Sequence, residues 1–203
     1  MIFWIAGVAF LLDGKLRKGY MSLESHSSSQ GLQACWAEFR QNLRADYVAC
    51  AGKEQAFSWV FLFHAGFQVS LCYRASRFFH LMNWMVLARL MGVWMRWLTS
   101  CDIHHGSDIG PGVQFPHGCG VVVGEGVVLG PRCSLFQHST VGATEGREGA
   151  PVLEEGVNLY PGTVVAGAVN IGEYCRIGPN VYLTESVPSH TRVSPPKPHF
   201  SGS

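Results

Sequence analysis

Residues 103–187 read IHHGSDIGPGVQFPHGCGVVVGEGVVLGPRCSLFQHSTVGATEGREGAPVLEEGVNLYPGTVVAGAVNIGEYCRIGPNVYLTESV, and a large apolar residue recurs in them at every sixth position. Ile103, Ile109 and Phe115 open the series; after a slip of two residues Val123, Leu129, Leu135 and Val141 continue it, and Leu153, Leu159, Val165, Ile171, Ile177 and Leu183 close it. Four places after most of these stands a small or β-branched residue, among them Ser107, Val113, Cys119, Cys133, Ser139, Thr163 and Cys175. Glycine often follows the apolar position directly, at Gly110, Gly124, Gly130, Gly142, Gly172 and Gly178. A period of six fits neither the helical nor the simple strand template. It marks a repeat architecture in which no unit buries its apolar side alone. The architecture that satisfies it is a parallel β-helix: three short strands make one triangular coil, the large residue of each repeat points inward, and stacked coils satisfy one another's backbone groups.

The remainder of the composition sets limits. With 203 residues and a formal net charge of +1, the chain has room for a real core and carries no basic stripe of the kind that nucleic acid requires. Its seven cysteines contain no C-x-x-C pair, and Cys119, Cys133 and Cys175 read as small inward residues of the repeat. A disulfide framework is not expected, and a reducing cytoplasm is the simpler compartment.

Residues 1–12, MIFWIAGVAFLL, are too short a run to span a bilayer and lack the basic start and cleavage site of a secretory signal. The first twenty residues read as an extension ahead of Met21 or as a weak apolar anchor backed by Lys15, Arg17 and Lys18. Residues 1–31 are therefore taken as an extension and flexible linker, 32–100 as an α-helical domain, 101–187 as the β-helix and 188–203 as a proline-rich tail that leaves the prism through Pro188. Within the helical part, Leu32, Cys35, Trp36, Phe39 and Leu43 fall at helical spacing. Further helices are expected over 54–63, over 67–82, with Tyr73, Arg74 and Arg77 as its polar side, and over 83–100. This last segment is apolar nearly all round, which points to burial against other helices or subunits, with a membrane-surface helix as the other reading.

Two breaks in the period mark where loops leave the faces, and such loops carry function. The first is FPHGCGVV, residues 115–122, where two extra residues bulge the corner that holds His117; the second is TEGREGAP, residues 144–151, which fills the place of one repeat. Asp102 precedes His117 by slightly less than one coil, so the two are expected on neighbouring rungs. A carboxylate beside an imidazole fixes its tautomer and stabilises the imidazolium, which suits the histidine to take a proton from an alcohol.

The stretch CDIHHGSDIGPGVQFPHGCGVVVGEGVVLG, residues 101–130, resembles the serine acetyltransferases of the left-handed β-helix, hexapeptide-repeat superfamily, whose pattern runs DIHPxAxIGxGxxxxHxxGxVVGExxxIG. SLFQHSTVGA (134–143) is similar to the family's xLxQxVTLGG, and HAGFQVSLCYRASRF (64–78) to its xxGFxAxxxYRxxHW. The resemblance implies a helical domain followed by a left-handed parallel β-helix, an Asp–His pair at Asp102 and His117 with His117 as general base, and acetyl-CoA bound between neighbouring subunits of a homotrimer or dimer of trimers. It matches Gly142, Gly162, Gly178, Pro179 and Lys197 to positions along the coenzyme. No metal is implied.

The acceptor is less well matched. Pro116 stands where the family has an Asp before the catalytic His, Ala51-Gly52-Lys53 where it has a D-P-A segment, and Gly149-Ala150 where it has an Arg-His pair. A charged amino acid left without such partners would pay a desolvation penalty of several kcal/mol. DYVACAGKEQAFSWVFLFHAGFQ (46–68) and TEGREGAPVL (144–153) instead resemble serine-acetyltransferase-like enzymes of polysaccharide gene clusters, which implies a sugar or another hydroxyl compound as acceptor, with Arg147 and His138 near it. His138 lines the acceptor groove or caps a turn; the sequence leaves both open. Genuine serine acetylation is the alternative, and a scaffold without catalysis the alternative of another class. A three-histidine metal enzyme of this fold is not expected, because such a site needs a pair of histidines at i and i+5 and no such pair occurs among the coil histidines; His104 and His105, if extended, point in opposite directions and face solvent.

Overall fold

A computed structural model describes residues 29–51, 63–146 and 148–195 of the chain. Among them are three helices, α1 (Ser29–Ala51), α2 (Ala65–Leu81) and α3 (Met85–Thr99), followed by thirteen very short strands. From Cys35 onwards the chain forms one compact unit. The helix expected over 54–63 lies outside the described residues except for Phe63, as do residues 1–28 of the extension and linker.

The strands stack into the three faces of a parallel β-helix. One face holds β1 (Asp102–Ile103), β3 (Val122–Val123), β6 (Thr140–Gly142), β9 (Val164–Ala166) and β12 (Tyr182–Leu183). The second holds β2 (Asp108–Ile109), β4 (Val128–Leu129), β7 (Val152–Leu153) and β10 (Asn170–Ile171), and the third β5 (Ser134–Leu135), β8 (Asn158–Leu159), β11 (Arg176–Ile177) and β13 (Arg192–Val193). The second residue of nearly every strand is the sixth-position residue of the period, and it is withdrawn from water: Ile103, Ile109, Val123, Leu129, Leu135, Val141, Leu153, Leu159, Val165, Ile171 and Ile177 are all buried in one column. Each such side chain contributes about 1.5–3 kcal/mol relative to exposure, so the column is the main source of stability.

Register locates both breaks. Asp102 pairs with Val122 and Asp108 with Val128, a coil lengthened by two residues, whereas Val122 pairs with Thr140 at the regular spacing. Thr140 then pairs with Val164, and Ser134 with Asn158, a coil longer by one whole repeat. Two expectations are corrected. Cys119 is exposed, because the bulge shifts the phase and hands the inward place to Val121, which is fully buried. The chain also does not leave the prism at Pro188: Val187 bridges Ile171, and Arg192–Val193 pairs with Arg176–Ile177, one tightened coil further on.

The helices are tied to the first coil by polar groups, not only by apolar packing. The Tyr73 hydroxyl donates to the Ser107 carbonyl at 2.8 Å and accepts from the Ile109 N–H at 3.2 Å. Arg74 grips the Asp46 carboxylate of α1 and donates to the Ile109 and Gly110 carbonyls. Tyr73 and Arg74, expected on a polar side, are therefore buried, since backbone carbonyls of the coil receive them. Ser76 reaches across to the Ala88 carbonyl of α3 at 2.7 Å.

α3 ends on Ser100, whose left-handed conformation (φ 56°) turns the chain into β1 while its N–H returns to the Arg96 carbonyl. Its outer side stays apolar: Val86, Leu90, Val93, Trp94 and Trp97 form one helical stripe on the surface, with Trp97 86% and Val86 73% exposed. No helix among the described residues is long and apolar enough to cross a membrane.

Candidate active site

The bulge that carries His117 is a tight turn. The Gly118 N–H donates to the Phe115 carbonyl at 3.0 Å, which places Pro116 and His117 at the two tip positions. The turn is docked on the first residues of α2. A Cβ on Gly118, whose φ is +51°, would stand 2.6 Å from the Ala65 carbonyl carbon, and a Cβ on Gly66 would collide with the Phe115 carbonyl oxygen. Glycine at both positions lets two backbones touch, so α2 sets the height of His117 above the coil. His64 caps this end of α2, its Nδ1 accepting from the Phe67 N–H at 3.3 Å.

His117 is exposed, and among the described residues its closest ring neighbour is Phe136 on the next coil, at 6.0 Å between centroids. Phe136 stacks in turn on Tyr160, one coil further, at 5.3 Å and 12°. Both occupy the position after the inward residue that glycine fills in many other repeats, and both are half-buried. The result is an aromatic wall that begins at His117 and runs along one corner of the prism.

Asp102 lies on β1 with its side chain outward, half-exposed. Its backbone N–H pairs with the Val121 carbonyl at 2.9 Å, which binds the Asp102 strand to the far end of the His117 bulge. Its carboxylate bonds Arg96 of α3, Nη1 to Oδ1 at 2.8 Å, and no hydrogen bond joins it to His117. The Asp102 strand and the His117 bulge are thus joined through the Val121 carbonyl, and Arg96 is the partner of the Asp102 carboxylate. Arg96 carried no signal in the sequence beyond being one of two charges on an apolar helix.

The remaining predicted positions separate. Gly142 has open space where a side chain would be. Gly162 and Gly178 are shaped by the coil: a Cβ on Gly162 would strike the Asn180 side chain, and one on Gly178 would stand 2.9 Å from the Pro195 ring. Their N–H groups donate to the Gln137 and Val193 carbonyls at 3.1 and 2.7 Å, so neither amide is free for a ligand. Pro179 is exposed at the neighbouring turn. His138 adopts φ 59°, donates its N–H to the Cys119 carbonyl and lays its ring against Gly120, as a turn residue does. Arg147 and Lys197 lie outside the described residues.

A second group of histidines lies apart, between the end of α2 and the first coil. His104 and His105 stack at 4.2 Å, and His80 stands 4.8 Å from His105. The expectation that His104 and His105 point apart to solvent is corrected: the corner is a turn, not a strand, and His105 is buried. Burial holds both His80 and His105 below the usual imidazole range; Arg77 and His104 add to the effect at His80, and His104, His80 and Arg89 at His105, while Glu125 opposes it at both. No group of three or more His, Cys, Asp or Glu among the described residues is disposed to hold a metal ion. The thiols of Cys72 and Cys133 are pushed up to about 11 by burial and stay protonated at neutral pH.

Residues 150–185 match the family model described as bacterial transferase hexapeptide (six repeats). A serine acetyltransferase of Synechococcus elongatus is 35% identical over 159 residues, covering 77% of this chain and 63% of that protein. A serine acetyltransferase of Helicobacter pylori strain J99 is 33% identical over 132 residues, covering 64% of this chain and 77% of that protein. The chain therefore spans slightly less than two thirds of the cyanobacterial relative. Among solved structures, the serine acetyltransferase of Neisseria gonorrhoeae in complex with serine is 26% identical with a TM-score of 0.72, covering 80% of this chain and 68% of that one. The soybean enzyme complexed with serine is 27% identical with a TM-score of 0.73, covering 79% and 68%.

Proposed function

The chain belongs to the serine acetyltransferase family of left-handed β-helix, hexapeptide-repeat proteins, and from that premise we propose that it transfers the acetyl group of acetyl-CoA to an alcohol, with L-serine as the acceptor its relatives support best. The single observation that carries this reading is the 33% identity to a serine acetyltransferase of which the chain covers 77%. In the proposed reaction His117 takes the proton of the acceptor hydroxyl as its oxygen attacks the thioester carbonyl carbon. The tetrahedral intermediate then expels the coenzyme thiolate, which recovers that proton from the imidazolium. Asp102 stabilises the imidazolium while it lasts. Acetyl-CoA is a cosubstrate in this reading, and Gly142, where an added Cβ would meet nothing, leaves room for it along the coils.

A sugar hydroxyl is the second acceptor, and one observation favours it. The stacked Phe136 and Tyr160 rings offer a flat apolar wall next to His117, a surface that suits the C–H face of a sugar ring more than a small charged amino acid. The missing charged partners at Pro116 and Gly149-Ala150 point the same way.

The active form in this reading is a homotrimer or a dimer of trimers. The outward row of the first face runs Asp102, Val122, Thr140, Val164 and Tyr182, and Tyr182 is 68% exposed. The corresponding row of the third face is polar, Gln114, Ser134, Asn158, Arg176 and Arg192. The exposed Val122 and Tyr182 of the first face and the α3 stripe suit a second copy, whereas the polar third face suits water. A cytoplasmic site of action fits seven cysteines that are all free thiols.

Release of free coenzyme A from acetyl-CoA, followed with L-serine and with a panel of sugars and small alcohols, tests the reading. Turnover with L-serine supports serine acetylation, and turnover with sugars alone moves the acceptor to the second reading. No release with any hydroxyl compound overturns the proposal of an acetyltransferase.

A further inference from the structure

Arg176 and Arg192 stand side by side on the outward row of the third face, and no acidic group among the described residues forms an ion pair with either. We propose that the two form an anion site on the last two coils that takes a phosphate monoester dianion, carried by the coenzyme or by another phosphorylated ligand. The site itself does not depend on the reaction proposed above; the coenzyme as the source of the phosphate rests on it.

Register makes the pair. Arg176 is the partner of Arg192, as Ile177 is of Val193, so both guanidinium side chains leave the same face on adjacent rungs, and both are exposed. Adjacent strands are about 4.8 Å apart. Like charges directly opposite one another on a sheet repel and destabilise it. The backbone cannot relieve this, because the Arg176 N–H donates to the Thr191 carbonyl at 2.9 Å and the Gly178 N–H to the Val193 carbonyl at 2.7 Å, which hold the two strands together on either side of the pair. Arg132, the other described arginine of the coils, is ion-paired with Glu155. The carboxylates of the preceding corner are engaged elsewhere: Glu155 by Arg132 and the Tyr174 hydroxyl, Glu154 by the Asn170 amide and the Glu173 N–H. Glu173, exposed at the same corner, makes no ion pair with either arginine.

The chemistry of the ligand follows from the charge left over. Two guanidinium groups present paired N–H donors on one side of the sheet, a geometry that grips phosphate oxygens two at a time. A phosphate monoester carries a charge of about −1.5 to −2 at neutral pH and three acceptor oxygens, enough to neutralise both arginines at once. A carboxylate would leave one of them unmatched. The remainder of the row, Gln114, Ser134 and Asn158, holds no acid that would repel an anion, and β13 is the edge of its sheet, so no further strand covers Arg192 among the described residues. Three rungs, roughly 14 Å, separate Arg176 from Gln114, which stands just ahead of the His117 bulge. A coenzyme whose thioester lies at His117 and whose arm runs along the prism would bring its distal phosphates to the height of the pair.

The experiment titrates the full chain with inorganic phosphate at constant ionic strength, read by calorimetry and by the melting temperature. The wild type should bind, and Arg176→Gln combined with Arg192→Gln should weaken binding by about 10-fold or more, the scale of lost charge-assisted hydrogen bonds. The double variant should also lose the rise in melting temperature that bound phosphate gives the wild type. The general salting effect of phosphate acts on both proteins alike, so their difference reads the site. Arg176→Lys, which keeps the charge, should retain more affinity than Arg176→Gln, and each single neutral variant should show part of the loss, so that a folding defect in one does not decide the result. Equal affinity for phosphate in the wild type and the double variant overturns the site, whether or not the chain turns over acetyl-CoA. The source of the phosphate is read separately, by comparing acetyl-CoA with the same thioester lacking the ribose phosphate. If the coenzyme supplies it, the lower KM of acetyl-CoA disappears in the double variant. A preference that survives while phosphate binding is lost assigns the site to a phosphate on another molecule.

Discussion

The guanidinium of Arg74 meets the carboxylate of Asp46 with Nε 2.8 Å from Oδ2, on side chains that are 5% and 1% exposed. Four further bonds close the group: Arg74 Nη2 to the other Asp46 oxygen at 3.2 Å, Arg74 to the Ile109 and Gly110 carbonyls, and the Gly112 N–H to Asp46 at 2.9 Å. One residue of α1 and one of α2 thereby satisfy the open end of the first coil, where no lower coil supplies partners. Stacked coils are approximately additive, so an uncapped end would fray first.

Asp46→Ala should accordingly destabilise the full chain by about 3–5 kcal/mol, the cost of leaving a buried cation without its partner. Asp46→Asn should cost less, since the amide oxygen still accepts from Gly112. Urea unfolding followed by circular dichroism measures both; a loss below about 1 kcal/mol in Asp46→Ala, the range of an exposed pair, would show that the group is not a cap.

Acid should loosen the seam at the other end of α2. His80 and His105 are held below the ordinary imidazole range by burial, and the buried Nδ1 of His80 has no hydrogen-bond partner among the described residues. Above the unfolded value of about 6.5 both states are neutral and these groups contribute no pH dependence. As pH falls below it the unfolded chain takes up protons that the folded chain resists, so stability declines, by at most about 1.4 kcal/mol per group and pH unit. The melting temperature between pH 8 and pH 5 should drop more steeply in the wild type than in His80→Gln. Parallel curves would remove His80 from the effect.

The period of six was legible because every inward residue of a coil is decided locally: a position is either in the column or in water. Cys119 shows where that reasoning ends. Counting on from Phe115 puts it inward, but the two-residue insertion has already changed the phase by then, and Val121 takes the place. Tyr73 and Arg74 were misjudged for a different reason. Their partners are the carbonyls of Ser107, Ile109 and Gly110, and a backbone group has no letter in the sequence. The same holds for Gly66 and Gly118, whose significance is a contact between two chain segments far apart in sequence. Asp102 and His117 could be picked out from their motif, whereas Arg96, which holds the first of them, could not.

Two glycine substitutions should separate support from binding. Gly118→Ala forces a Cβ into the Ala65 backbone and strains a left-handed residue, so it should shift His117 and lower kcat by roughly 10-fold or more, since about 1 Å of misplacement costs on that order or beyond. Gly142→Ala meets open space and should leave the melting temperature unchanged while raising KM for acetyl-CoA. Steady-state kinetics and a thermal melt on each variant check this; an unchanged KM in Gly142→Ala would remove that position from the coenzyme path.

Trp97 should report on assembly. It is the most exposed large side chain of the α3 stripe, next to the Arg96 that bonds Asp102. Burying a charge in an apolar contact without a partner is costly, so if the proposed trimer or its multiple packs on this stripe, Trp97→Glu should reduce the mass seen by light scattering toward that of a single chain. Retention of the wild-type mass would exclude the stripe from the contact.

His117→Ala should lower kcat by about 100-fold or more with the acceptor that is turned over, the contribution typical of a positioned general base. The side chain is exposed and has no hydrogen bond among the described residues, so its loss should leave the melting temperature and the state of assembly unchanged. Asp102→Asn should cost less, because the amide can still accept from Arg96 while the charge that stabilises the imidazolium is gone. The order matters as much as the size. A larger loss in Asp102→Asn than in His117→Ala would make the carboxylate itself the base, and an unchanged rate in His117→Ala would remove the histidine from the reaction, leaving the bulge as a turn that only carries the chain across the corner.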